Sequence, residues 1–253
     1  MLVLIGIPAL ALIVAGIVVW FLFQTPAPAV SKGERKPPSP PLLAAVMALV
    51  MADEQFLAYT GVLDQWDSWP PPVMLLIGAV MALTLVLALT GPGKRIARDL
   101  PFSALIGYQA FRLPMELLMA QAAEAGIMPE QMSYYGYNFD IVTGVLAIPV
   151  AYLSWKDQAP RWMLVGWNVL GFVLLLSIMG IAATSTPTFA AFGSDPEQLN
   201  TWITHAPYVW VPTVLAPAAL FGHVVTWRKL VGVAEAEVAA KKPKRFKRSK
   251  RAS

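Results

Sequence analysis

Long apolar runs separated by short polar segments dominate the chain, and six of them approach or reach the length of a membrane span. They are Leu2 to Phe23, Val73 to Leu89, Pro101 to Ala122, Phe139 to Trp155, Trp162 to Thr184 and Ala206 to Trp227. A transmembrane α-helix needs about 20 predominantly apolar residues, and one soluble core cannot hold several such runs. The pattern therefore predicts an all-α fold, a polytopic bundle of transmembrane helices.

A seventh segment, Leu42 to Leu63, is apolar at first, meets the acids Asp53 and Glu54, and then becomes apolar again. It is either a marginal span, with its acids at the outer interface, or a helix lying in the interface. Its start is well marked, because Ser39 suits a cap and Pro40 suits the first position of a helix.

Lysine and arginine positions favour seven spans. Loops that face the cytoplasm accumulate these residues, and the opposite loops avoid them. With seven spans and an outside N-terminus, the cations of every loop and of the tail fall inside. With six spans and an inside N-terminus, Lys32, Arg35 and Lys36 would lie outside. We predict seven spans, keep six as the alternative, and expect a cytoplasmic C-terminus in both.

The chain divides into three regions by this pattern. Residues 1–41 form an anchor helix and a Pro-rich basic linker, residues 42–230 form the membrane bundle, and residues 231–253 form a polybasic tail. The first run has no basic flank before it and is long for a signal peptide, so we expect an anchor. A start at Met47 or Met51 would leave a five-span core, and this alternative stays open.

Composition agrees with a membrane protein and removes several chemistries. Hydrophobic residues make up 57% and charged residues 13% of the chain, where soluble domains carry roughly a quarter charged residues. The absence of cysteine excludes iron–sulfur clusters and thiolate sites. The two histidines, His205 and His223, are about 27 Å apart along a helix, which excludes a haem held between them. His223 stays a candidate single axial ligand, no metal site is predicted, and the cofactor stays unknown.

The tail carries eight cations in its last 13 residues, whereas residues 1–240 hold 11 cations against 15 acids. Each cation near an anionic leaflet contributes roughly 1 kcal/mol of binding, so we expect lipid contact. The predicted lipid-binding residues are Lys241, Lys242, Lys244, Arg245, Lys247 and Arg248. An acidic partner protein is an alternative. Nucleic acid is disfavoured, because the tail has one aromatic residue and no folded module.

The candidate chemistry lies in polar residues within the apolar runs. Arg112 falls near the middle of its run, where an arginine costs about 2.5 to 3.5 kcal/mol on insertion scales, so it should face the bundle interior and have a partner. Gln109 and Glu116 lie about one helical turn away on the same face. Pro114 removes a helix hydrogen bond beside them.

A second polar stretch, with Asn138 and Asp140, precedes the next run. Either residue can cap that helix, and Asp140 can also flank Arg112 together with Glu116. Asn168 and His223 are further polar residues within spans. We expect the six residues Gln109, Arg112, Glu116, Asn138, Asp140 and Asn168 to form a cluster that is either a structural clamp or a ligand or proton site.

Three stretches carry a resemblance. They are Phe111-Arg112-Leu113-Pro114-Met115-Glu116, Gly136-Tyr137-Asn138-Phe139-Asp140-Ile141-Val142-Thr143-Gly144, and Pro207-Tyr208-Val209-Trp210-Val211-Pro212 through His223. In this order, they resemble a family of bacterial polytopic inner-membrane proteins with no assigned activity. The resemblance covers about Trp69 to Leu230 and implies a multi-helix membrane fold. Members look to have arginine where this chain has Tyr137, so a second cation for Asp140 is missing here.

We expect an integral protein of the bacterial inner membrane, most simply a non-catalytic accessory subunit whose partners are lipids and other membrane subunits. Its few titratable groups and the small residues Gly166, Gly171 and Gly180 along one span favour this hypothesis. The alternative is a protein that binds or passes a small molecule, proton or ion at the Arg112 cluster. A membrane-embedded enzyme is third, because no protease or hydrolase signature occurs.

Overall fold

The structure, a computed structural model, describes residues 1–25 and 39–241, with side chains described as far as residue 233. All regular secondary structure in these residues is helical, which confirms the predicted all-α class. The helices are α1 (Leu2–Gln24), α2 (Pro40–Tyr59), α3 (Pro72–Leu89), α4 (Gly91–Asp99), α5 (Phe102–Gly107), α6 (Arg112–Glu124), α7 (Ile141–Trp155), α8 (Arg161–Thr184) and α9 (Ala216–Lys241). A 3₁₀ turn, Tyr108–Phe111, joins α5 to α6, and a π-helix, Val211–Leu215, precedes α9.

Four of the described helices are long and apolar enough to cross a membrane: α1, α2, α3 and α8. Their mean hydropathy values are 2.9, 1.5, 2.6 and 2.2 in that order. The segment that the sequence left uncertain thus forms the 20-residue helix α2. Length and composition together identify a helical protein suited to a membrane.

The run from Pro101 to Ala122 is not the single helix that we expected, because a 3₁₀ turn divides it into α5 and α6. Pro114 has no amide hydrogen to donate to the carbonyl of Ala110, which lies in that turn. It instead occupies the first turn of α6, where the amide has no helical partner in any case. The interruption places Arg112 at the start of a new helix.

The last run is also divided. Its α-helical part begins at Ala216, later than the predicted Ala206, and the π-helix with Pro212 comes before it. Pro217 occupies the second position of α9, where a proline is tolerated. α7 has only 15 residues. Three of the seven predicted spans are therefore not single long α-helices.

The segment from Gly91 to Arg95, although rich in glycine and proline, belongs to helix α4. Gly93 allows the sharp change of direction after α3, since a Cβ there would collide with the backbone of Ala88. Ile96 and Ala97 are buried, while Lys94 and Arg98 are exposed. α4 is thus a short amphipathic helix at the end of α3.

α2 is fastened to the segment before α9 by three hydrogen bonds. Thr213 Oγ1 donates to Glu54 Oε2 at 2.9 Å, Trp210 Nε1 to the Met51 carbonyl at 3.0 Å, and Gln55 Nε2 to the Pro207 carbonyl at 3.3 Å. Glu54 is therefore buried against protein. Asp53 is exposed. Ser39 precedes α2 but its side chain makes no capping hydrogen bond.

Glycines allow close helix contact around the centre of the bundle. A Cβ on Gly144 in α7 would lie 2.5 Å from the Leu113 amide nitrogen of α6. A Cβ on Gly171 in α8 would lie 2.5 Å from the His223 ring of α9. Close packing at small residues is typical of helices in membranes. It brings α6, α7, α8 and α9 together at one level.

Several predictions fall outside the described residues. These are the basic linker with Lys32, Arg35 and Lys36, and the predicted lipid-binding side chains of Lys241, Lys242, Lys244, Arg245, Lys247 and Arg248. They stay predictions. The domain boundaries at residues 41 and 230 likewise stay predictions.

Candidate functional site

A buried polar cluster joins four helices at the level of the glycine contacts. Its members are Arg112 at the start of α6, Asp140 immediately before α7, Asn168 on α8 and His223 on α9. Their side chains are at most 3% exposed. Polar groups buried in this way need hydrogen-bond partners within the protein, because water does not reach them.

Arg112 forms its ion pair with Asp140. Its Nε donates to Asp140 Oδ2 at 2.7 Å, and its Nη2 bonds to the same oxygen. The other oxygen, Oδ1, accepts from Thr143 Oγ1 at 3.2 Å. On the far side of the guanidinium, Nη1 lies 3.4 Å from the Gly171 carbonyl oxygen, toward which it donates. The charge is thus neutralised from a neighbouring helix.

His223 is held between the ion pair and α8. Its Nε2 lies 2.7 Å from Arg112 Nη1, and its Nδ1 lies 3.0 Å from Asn168 Oδ1. A guanidinium can only donate, so Nε2 must be the acceptor. The ring proton then resides on Nδ1 and is donated to Asn168, whose Nδ2 donates in turn to the His223 carbonyl at 3.2 Å. The imidazole is therefore neutral in this arrangement.

This geometry gives no support to His223 as an axial ligand. Both ring nitrogens are engaged, and a metal at Nε2 would have to displace the Arg112 hydrogen bond. Within the described residues, no group of three or more His, Cys, Asp or Glu side chains could hold a metal ion.

Asp140 does not cap α7, although it occupies the capping position. Its amide instead donates to Asn138 Oδ1 at 3.0 Å, so Asn138 is the residue that shapes the start of the helix. A missing cap costs about 1 kcal/mol, whereas an unpaired buried charge costs about 3 to 5 kcal/mol. The Asp140 carboxylate therefore pairs with Arg112 instead of capping the helix.

Glu116 does not pair with Arg112, contrary to our expectation. Its Oε2 accepts a hydrogen bond from Asn138 Nδ2 at 2.6 Å, and the same amide donates to the Met132 carbonyl at 3.0 Å. The other oxygen, Oε1, is buried and has no hydrogen-bond partner. Glu116 and Asn138 thus form a branch that is connected to the ion pair through the Asp140 amide and not through Arg112.

Gln109 lies apart from the ion pair. Its Nε2 donates to the Ala219 carbonyl of α9 at 3.0 Å, and the neighbouring Tyr108 hydroxyl donates to the Ala218 carbonyl at 2.6 Å. Both residues belong to the 3₁₀ turn, so they fasten the break between α5 and α6 to α9. The predicted common face of Gln109, Arg112 and Glu116 is therefore split by the change of helix type.

A cavity of 440 Å³ adjoins the Glu116 branch. It lies between α3, α6, α8 and the segment around the π-helix, and Glu116 and Asp140 are its charged lining residues. Six of the 11 methionines of the chain line it: Met74, Met81, Met115, Met119, Met132 and Met179. Methionine side chains adapt to ligands of different shape.

This cavity was not predicted from the sequence. A signal was present in the spacing of Met115 and Met119, which share a helix face beside Glu116. Thr143 and Gly171, which complete the shell of the ion pair, were also missed as functional positions.

No family model matches the chain, and no curated protein or solved structure shows significant similarity to it. The resemblance drawn from the three sequence stretches therefore stays a prediction.

The two acids of the site should contribute very differently to stability. Asp140→Asn should lower the free energy of unfolding by about 3 to 5 kcal/mol, because it leaves the Arg112 guanidinium buried without a counter-ion. Glu116→Gln, the matched control, should change it by less than about 1 kcal/mol, since Arg112 keeps its partner. Thermal unfolding of the detergent-solubilised variants measures both. Equal loss of stability in the two variants would contradict the assignment of Asp140 as the counter-ion.

Proposed function

We propose that the chain is an integral membrane protein that binds an apolar small molecule through one hydrogen-bond-donating or cationic group placed against Glu116. The observation that carries this proposal is the Glu116 Oε1 atom, which is buried, lacks a partner and belongs to a residue that lines the cavity. Leaving a buried acceptor without a donor costs about 1 to 3 kcal/mol. A donor on a bound molecule would remove this cost.

The ion pair takes the other role that the sequence left open, that of a structural clamp. Arg112 and Asp140 are engaged by Thr143, His223 and the Gly171 carbonyl. A bound molecule would have to break these contacts to reach the guanidinium. The ligand role therefore goes to Glu116 and the clamp role to Arg112 and Asp140.

The size and lining of the cavity favour binding over ion permeation. Its 440 Å³ falls in the range of small-molecule sites, about 300 to 1,000 Å³. Its walls are mainly methionine and aliphatic side chains such as Ile77, Leu175 and Ile178. Selective ion pathways use rings of carbonyls or charged side chains, which such walls do not supply. We do not propose an enzymatic activity.

An accessory role in a larger membrane complex is the second candidate. It is favoured by α8, where Gly166 and Gly180 have open space beyond their Cα atoms and the intervening Val173 is exposed. The spacing of seven residues puts all three on one face, which a helix of another subunit could approach closely. Gly171, in contrast, packs against His223 inside the bundle.

We further propose seven crossings of the bacterial inner membrane, with the N-terminus outside and the C-terminus in the cytoplasm. The helical stretch 102–124 counts as one crossing, because its 23 residues extend about 35 Å and the hydrocarbon core is about 30 Å thick. α7 is shorter, and a short helix is accommodated by local thinning of the bilayer. The 20-residue length of α2 supports seven crossings over six.

Filling the cavity should prevent binding. Gly78 lines the cavity, and a Cβ there would meet no atom within 4 Å. We expect a small molecule to copurify with the wild type in mild detergent, and we expect Gly78→Leu to fold and to lose it, as seen by native mass spectrometry. Glu116→Gln should lower its occupancy about tenfold or more, because one of the two carboxyl oxygens is replaced by an amide nitrogen that can only donate.

Gly166→Leu is the matched control, because it adds the same side chain to open space outside the cavity. It should retain the molecule at wild-type occupancy. A wild-type occupancy in Gly78→Leu, or an equal loss in Gly166→Leu, would contradict binding in this cavity.

Single cysteines test the number of crossings, since the native chain has none. With seven spans, Ser31→Cys should be protected from an impermeant thiol reagent added to intact cells, as should Gln158→Cys. Ser194→Cys should be labelled. With six spans, Ser31→Cys would be labelled like Ser194→Cys, so that outcome would refute the seventh crossing.

A further inference from the structure

A second cleft, distinct from the cavity beside Glu116, lies between α4 and α9. Its volume is 580 Å³, and it is lined by four cations together with an aromatic residue. These are Lys94, Arg98, Arg228, Lys229 and Trp227. Its lining cations belong neither to the cavity beside Glu116 nor to the polybasic tail.

Two of the cations are held in fixed positions by neutral groups. Arg228 Nη1 donates to the Ala88 carbonyl at 2.5 Å and to the Thr90 carbonyl at 3.0 Å, where α3 ends. Lys229 Nζ donates to the Ala97 carbonyl at 3.0 Å and lies 5.3 Å from the Phe102 ring centroid. Carbonyls and an aromatic ring orient these side chains, neither of which forms an ion pair with a described acid. Asp99 lies near enough to attract the charge of Lys229.

The other two lining cations project from α4. Arg98 pairs with Asp99 through Nε at 2.5 Å, and this pair is exposed. Lys94 is exposed and forms no hydrogen bond or ion pair with the described residues. α4 contains no acid besides Asp99, and residues 216–233 contain none. Including Arg95, five cations therefore face one acid.

The surroundings of the cleft are those of a membrane surface. α4 starts two residues after the apolar helix α3 and buries Ile96 on its inner face. Trp227 and Val231 line the same cleft and are 47% and 42% exposed. Tryptophan is enriched at the depth of lipid headgroups, and amphipathic helices lie at that depth. Exposed apolar atoms beside cations suit a ligand that has both a phosphate and acyl chains.

We propose that this cleft binds the phosphate-bearing headgroup of an anionic membrane lipid. Arg228 and Lys229, whose side chains are held by carbonyls, contact the phosphate from α9. Lys94 and Arg98 contact it from α4. Basic pockets between membrane helices bind anionic headgroups, and each cation near them contributes roughly 1 kcal/mol. The contacts involve side chains other than those of the tail, and they hold whether or not the cavity beside Glu116 binds a ligand.

The test compares lipids that differ only in headgroup. The full-length protein, delipidated in mild detergent, is mixed with dimyristoyl phosphatidylglycerol, dimyristoyl phosphatidylcholine or inorganic phosphate. Native mass spectrometry counts bound lipids, and thermal unfolding measures stabilisation. The wild type should retain the anionic lipid over the zwitterionic one, and Lys94→Glu should reduce that preference about fivefold or more, because it reverses one charge in the cleft.

Lys156→Glu is the matched control, because Lys156 is an exposed lysine of the 156–160 loop and does not line the cleft. It should leave the preference within about twofold of the wild type. Unfolding without lipid checks that Lys94→Glu is folded. The proposal is overturned by equal retention of the two lipids, by an equal loss in Lys156→Glu, or by inorganic phosphate stabilising the wild type as strongly as the anionic lipid does.

Discussion

The need to neutralise one buried guanidinium governs how the central helices pack. Arg112 has no access to solvent, and a charge in that position is tolerated only with a counter-ion and satisfied hydrogen bonds. Asp140 supplies the charge, while His223 and the Gly171 carbonyl accept the remaining donors. These partners come from α8, α9 and the start of α7, so a single side chain defines the relative positions of four helices.

The same requirement explains why the Glu116 carboxyl is left for another role. Because Asp140 already satisfies Arg112, Glu116 needs only Asn138 to hold its orientation, and one oxygen keeps no partner. That residue borders a cavity whose walls are mainly apolar and rich in methionine, with Asp140 as the other charged lining residue. Asp140 is paired with Arg112, whereas Glu116 keeps one oxygen without a partner. The two buried acids therefore differ chemically, although they look alike in the sequence.

Apolar run length was enough to predict the helical class and three of the four long apolar helices, because insertion in a bilayer depends on local composition. Helix α2 stayed uncertain, because Asp53 and Glu54 interrupt its apolar run. The cost of burying Arg112 could likewise be predicted from its position within one apolar run. Its partners were harder to predict, since His223 is 111 residues away in the chain and helical periodicity gives a face but no neighbour. The spacing of Arg112 and Glu116 places them near one another along the chain but does not establish contact, and Asp140, immediately before α7, forms the ion pair instead. The cavity depends on the packing of several elements, so the spacing of Met115 and Met119 could only hint at it.

The most direct test is a pair of double-mutant cycles on the free energy of unfolding in detergent. One combines Arg112→Met with Asp140→Leu, and the other combines Arg112→Met with Glu116→Leu. We expect a coupling energy of about 2 kcal/mol or more between Arg112 and Asp140, and one below about 0.5 kcal/mol between Arg112 and Glu116. A larger coupling to Glu116 than to Asp140 would contradict this expectation.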